Sequence, residues 1–145
     1  MKGMSVIVQK VAQLLSAMIF VFAMYVITHG HIMPGGGFAG GVLLAGSFIV
    51  LVLAQGQGYL KLKQQRERTS LLESLSVLLI LLLGFSGLFA GSMVFFGNYL
   101  PKGQPGELLS AGNIPIYSIL IGIKVAATLF TIFLALTIYK EEASK

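Results

Sequence analysis

The chain has 145 residues, of which 56% are hydrophobic and 10% charged, and its net charge is +5. An average soluble domain carries roughly 25% charged residues, so this chain has too few charges to cover a water-facing surface, and its mean hydropathy of +0.89 points the same way. With no cysteine, the chain by itself is excluded from holding an iron–sulfur cluster, a thiolate metal site or a disulfide.

A helix needs about 20 mainly apolar residues to cross the hydrocarbon core, and backbone groups in lipid must be satisfied within each segment. Four blocks qualify, at residues 6–28, 36–54, 71–96 and 114–139. The expected fold is therefore all-α, a single membrane domain built as a bundle of four transmembrane helices. The first block is too long for a signal-peptide core and no small-residue cleavage site follows it. It is read as a retained helix that forms a hairpin with the second through the turn His29–Pro34.

That turn contains the only histidines, His29 and His31. Their spacing of two is not the i, i+4 spacing of a metal pair on a helix, so no metal site is expected. The plain reading is a turn whose imidazoles bond nearby backbone. The functional reading is a proton-accepting group at a channel mouth, since His titrates near neutral pH.

The second block opens on the most distinctive stretch of the chain. Pro34 is expected to begin the helix, and Gly35, Gly36, Gly37, Phe38, Gly40 and Gly41 follow. Glycine costs about 1 kcal/mol relative to Ala inside a helix, so a cluster implies a positional demand. Gly36 with Gly40, and Gly37 with Gly41, are small-xxx-small pairs that let another backbone approach closely. Packing between subunits is expected here at least as much as packing inside the chain. Gln55-Gly56-Gln57-Gly58 is expected to end this helix.

Before the third block lies a basic run, Lys61–Arg68, read as a topology signal that also meets anionic headgroups. Ser70-Leu71-Leu72-Glu73 reads as a capping box, with Ser70 and Glu73 as a helix cap rather than an ion site. Gly87 and Gly91 form a further small-xxx-small pair. Asn113 and Pro115 are expected to open the fourth helix.

Lys124 is the only ionisable residue deep in a predicted span. It lies about ten residues, or roughly 15 Å, into the fourth helix, near the middle of a core about 30 Å thick. There a lysine must meet an acid, carbonyls or water, or lose its proton. With Glu73 read at the inner edge and Glu107 in the outer connection, no acid of this chain lies at its depth. Lys124 is thus a candidate for an ion or proton path shared with a neighbour.

Lys2, Lys10, Lys61, Lys63, Arg66, Arg68, Lys140 and Lys145 fall on one side of a four-span topology, and Lys102 alone on the other. The positive-inside bias places both termini in the cytoplasm. This distribution also makes the +5 charge an orientation signal, with no nucleic acid implied. There is no internal repeat, nucleophile–base constellation, phosphate loop or cofactor fingerprint, so neither a catalytic residue nor a cofactor is expected.

A first helix ending in Gly30-His31, followed by Pro34-Gly35-Gly36-Gly37-Phe38-Ala39-Gly40-Gly41 opening a second, resembles the B subunit of Mrp-type multisubunit sodium/proton antiporters. The same subunit type occurs in membrane-bound hydrogenases and sulfur-reducing complexes. The resemblance implies an accessory subunit of the cell membrane of a bacterium or archaeon, working with other membrane subunits. It also implies that large antiporter-like partners carry the proton channels while small subunits help form the sodium-translocating part. One departure is that the fourth helix of that family opens near an Asp-x-Gly segment. Here Ile119-Leu120-Ile121-Gly122-Ile123-Lys124 has no acid, which shifts weight toward the hydrogenase-type branch. Two readings from other classes are a structural scaffold in which Lys124 is incidental and a small self-assembling exporter. Such exporters place an acid in the first helix, and this chain has none there.

Overall fold

The computed structural model describes residues 4–56, 62–89, 94–104, 106 and 110–143, with backbone only at 62–64 and 141–143. Lys2, Gln57, Gly58, Lys61, Gly91, Glu107 and Lys145, named above, lie outside the described residues, as does the side chain of Lys63. Four helices carry the fold: α1 (Val6–Thr28), α2 (Gly36–Gln55), α3 (Leu62–Phe89) and α4 (Ile114–Ala143). All four are long and apolar enough to cross a membrane.

The first hairpin follows the sequence closely. The Thr28 hydroxyl donates back to the Met24 and Tyr25 carbonyls at 3.0 Å, and His29 closes the helix with its backbone N–H on Tyr25 O. Pro34 does not open α2. The helix begins at Gly36 with Gly35 as its N-cap at φ 99°, a backbone conformation that favours glycine. Pro34 sits one residue earlier, in the turn. At the other end, Gly56 at φ 84° donates its N–H to Val52 O and closes α2.

The expected cap at the start of α3 is corrected. The helix begins at Leu62, so Ser70 and Glu73 are interior residues, and the Ser70 carbonyl accepts the Ser74 hydroxyl at 3.1 Å. The physical reason lies in the polar run itself. Lys63, Gln64, Gln65, Arg66, Glu67 and Arg68 are good helix formers with no Gly or Pro among them, so leaving the apolar block does not end the helix. The described helix ends at Phe89, short of the expected Phe96, and Phe96 instead donates its N–H to Gly84 O at 3.1 Å.

α4 begins where expected, with Pro115 in its first turn, but Asn113 does not cap it with its side chain. The Asn113 amide donates to Gly97 O at 3.1 Å, and its own N–H is taken by Asn98 Oδ1 at 3.0 Å. The cap is thus supplied from the preceding connection.

Packing follows the order α1–α2–α4–α3, a row in which the fourth helix sits between the second and the third. The α1–α2–α4 part closes on small residues. A Cβ on Gly37 would overlap the Ser118 backbone, one on Gly41 would lie 2.6 Å from Gly122 O, and one on Gly40 would strike Ile27. The glycine face is therefore occupied inside the chain, by α4 on one side and α1 on the other. Phe38 points away from it and is exposed. Ser118 pins the junction by donating to Ile27 O at 3.1 Å, and Ser16 of α1 donates to Ser47 O of α2 at 2.8 Å.

Candidate functional site

The seam between α3 and α4 carries the ionisable residues that lie within the spans, together with buried hydroxyls. Its register is fixed at two points. Thr131 Oγ1 donates to Thr69 Oγ1 at 2.8 Å, and Asn113 joins Gly97 at the opposite end. The start of α3 thus meets the end of α4, and the helices run antiparallel. Along α3, Thr69 and Ser76 are buried at a spacing of seven, and along α4 Tyr117, Lys124 and Thr131 are half-buried at the same spacing. Residues seven apart return to nearly the same helix face, so these two columns face one another.

Lys124 lies in the middle of this column, half-buried, with Thr128 Oγ1 donating to its backbone carbonyl at 2.9 Å. The expectation that no acid of this chain shares its depth is corrected by α3. Glu73 is four residues past Thr69 and Lys124 seven before Thr131, so the two differ in depth by only about 4.5 Å. Glu73 is also half-buried. Both stand on the same side of the seam. The cleft of about 190 Å³ between α2, α3 and α4 is lined by Gln65, Thr69, Leu72, Ile123, Ala127 and Phe130, among others. At 100° per residue, Glu73 and Lys124 lie on the other flank of their helices. Among the described residues, neither side chain makes a hydrogen bond or ion pair. Helical side chains lean toward their own N-terminus, and in antiparallel helices that carries the two charged ends apart.

Above Lys124 the same flank holds an aromatic group. Phe96, at φ 62°, meets Tyr117 in a tilted contact at 5.4 Å and Phe95 edge to face at 4.5 Å between ring centroids. The Tyr117 hydroxyl is buried without a hydrogen-bond partner. Nearby in α3, Ser86 Oγ lies 2.9 Å from the Tyr99 phenol oxygen.

The histidines stand apart from this seam. His29 Nδ1 is 2.9 Å from Tyr25 O. That bond requires the proton on Nδ1, and the imidazole also lies on the Tyr25 ring, 4.1 Å between centroids. His31 lines a cavity of about 440 Å³ with Lys102, Gly103 and Ser110. Among the described residues no three His, Cys, Asp or Glu side chains converge as a metal site would require. The structure thus places Lys124 and Glu73 at similar depth on one flank of the α3–α4 seam without a bond between them, sets His29 and His31 at the α1–α2 turn, and uses Gly36, Gly37, Gly40 and Gly41 for close packing. Reading Glu73 as a cap concealed it. The spacing of seven that links Thr69 to Ser76 was the available sequence signal.

Known proteins share this architecture. The family described as a domain related to the MnhB subunit of Na+/H+ antiporter matches residues 7–131. An uncharacterised protein of Methanocaldococcus jannaschii is 37% identical over 122 residues, covering 81% of this chain and 46% of that protein. The B subunit of the Na+/H+ antiporter of Bacillus subtilis is 40% identical over 53 residues, 37% of each chain. The matched stretches thus cover less than half of either relative. Among solved structures, a chain of the membrane-bound sulfane sulfur reductase, an archaeal respiratory membrane complex, is similar with a TM-score of 0.73 and 33% identity. The match covers 89% of this chain and 56% of that one. With four apolar helices in place and the family match running from α1 into α4, the chain belongs to the MnhB-related family of Na+/H+ antiporter subunits.

Proposed function

We propose that this chain is an accessory, non-catalytic membrane subunit of a multisubunit cation/proton antiporter assembly in the cell membrane, with both termini cytoplasmic. It supplies a wall of packed helices and, through Lys124, part of a cation or proton path. The observation that carries the reading is a half-buried lysine in the middle of α4 within a chain whose family is defined by an antiporter subunit. A charged group at that depth is costly and marks a path by default. The histidines His29 and His31 serve at the mouth of the same path. The likeness to a chain of the sulfane sulfur reductase favours a second reading, the same subunit working in a respiratory complex.

Purification in mild detergent, with identification of the subunits that come with it, separates the two. Antiporter-like subunits alone support the first, and a nickel–iron or sulfur-reducing large subunit supports the second. Recovery of the chain without any partner sinks both. In vesicles carrying the assembly, Lys124→Ala should reduce cation-coupled transport at least tenfold. Lys124→Arg keeps the charge but not the exchangeable proton, because Arg stays protonated. Wild-type transport in both variants would make Lys124 structural.

A further inference from the structure

Among the described residues, Glu73 is the carboxylate nearest Lys124 in depth, and its position suggests more than a cap. We propose that Glu73 and Lys124 form an acid–base step inside the membrane, on the open flank of the α3–α4 seam. In this step the carboxylate holds a proton or a monovalent cation in turn with the Lys124 ammonium. The inference rests on the reading of Lys124 given above and adds a site residue to it.

Three observations carry it. Glu73 lies in the apolar part of α3, five residues beyond Arg68, the last charged residue before it, about 7.5 Å along the helix, and a carboxylate within a span is costly. The hydrogen bond between Thr69 and Thr131 fixes the register that brings Glu73 within one helical turn of Lys124. Both residues occupy the same flank, away from the cleft. Among the described residues, no other ionisable group of α2, α3 or α4 lies within one turn of either in depth. Between Gln65 and Phe89 the ionisable residues other than Glu73 are Arg66, Glu67 and Arg68, in the polar run that precedes the apolar block. α4 presents only Tyr117 and Lys124 before Tyr139, and α2 has no ionisable residue from Gly36 to Gln55.

The two side chains share a flank and lie within one turn in depth without a bond between them, and the proposed step pairs and parts them through changes of side-chain rotamer. A proton arriving at Glu73 converts the carboxylate to the neutral acid and frees the ammonium. When that proton passes on, the carboxylate is restored and can pair with Lys124 again. A monovalent cation displaces the ammonium in the same way, with no bond formed or broken. Tyr117, with its hydroxyl buried and unpartnered, stands two turns beyond Lys124 on the same column.

The test combines a double-mutant cycle with transport, using the full chain in lipid nanodiscs and its assembly in membrane vesicles. Glu73→Gln and Lys124→Met should each lower the thermal unfolding midpoint of the chain. The double variant should recover most of the combined loss, because removing both charges leaves neither uncompensated. Losses that simply add would overturn the pairing. Transport in the vesicles should fall at least tenfold in both single variants and stay low in the double variant despite its restored stability. A stable double variant that transports at the wild-type rate would reduce the pair to a structural one and overturn the proposal. A wild-type assembly that moves no cation against protons would sink the antiporter reading, while the stability cycle would still decide whether Glu73 and Lys124 are coupled.

Discussion

Glycine does different work at different positions of one helix, and the difference can be measured. At Gly37 an added methyl group would run into the Ser118 backbone, whereas at Gly46 it would meet nothing within 4 Å. Backbone cannot move aside as a flexible side chain does, so Gly37→Ala should force α2 and α4 apart, at a cost of about 1–3 kcal/mol. Gly46→Ala should instead be neutral or stabilising by up to about 1 kcal/mol, through helix propensity alone. Thermal unfolding of both variants in the same detergent checks the pair. Equal midpoints would mean that the close approach at Gly37 carries no energy. Ser118→Ala tests the same junction more gently. It removes the hydroxyl that reaches Ile27 O, and interhelical hydrogen bonds in membranes average about 0.6 kcal/mol, so its midpoint should fall only slightly.

Helix boundaries show which signals the chain states openly. The bounds of α1 and the close of α2 were legible because turn residues coincide there with the end of the apolar block: His29 and Gly30 after Thr28, Gly56 after Gln55. The start of α3 was not, because apolarity and helicity part company in Lys63–Thr69. Hydropathy marks where lipid ends, while helix propensity marks where the helix ends. The helix starts nine residues earlier than the apolar block, which makes Glu73 an interior residue of the helix rather than its cap and hid half of the candidate site. Lys124 itself was legible, since a lone ionisable residue in an apolar block needs no structure to be noticed. The start of α4 was legible in position but not in mechanism. Asn98 holds it, accepting the Asn113 N–H and donating to Ala111 O at 3.1 Å, through a contact fifteen residues back in sequence. Asn98→Ala should therefore cost about 1–2 kcal/mol, as the loss of a helix cap does. Asn98→Asp, which keeps the acceptor and adds a charge favoured at a helix N-terminus, should recover part of that. Unfolding midpoints of the two variants rank them, and an Ala variant as stable as wild type would remove Asn98 from the cap.

A row of helices leaves far more surface uncovered than a closed bundle. Only 17% of the spanning window is buried in α1 and in α3, so most of each faces lipid or other subunits. Orientation of the row is open to direct measurement in this cysteine-free chain. Single cysteines at Lys63 and Lys102 should react with a membrane-impermeant thiol reagent from opposite sides, position 63 from the cytoplasm. Reaction of position 102 from the cytoplasm alone would invert the proposed topology. The row order also bears on biogenesis. Because α4 separates α2 from α3, the third helix leaves the ribosome before its docking partner exists. Thr69, Ser76 and Glu73 must then enter the bilayer with no helix of this chain to receive them. Stable insertion of α3 should accordingly depend on the arrival of α4. A chain ending after residue 104 should retain the α1–α2 hairpin in the membrane yet be degraded through its exposed third helix, and supplying residues 105–145 as a separate polypeptide should rescue it. The arrival of α4 thereby becomes a quality-control signal, the moment at which the cell can tell a joined α3–α4 seam from an orphaned helix.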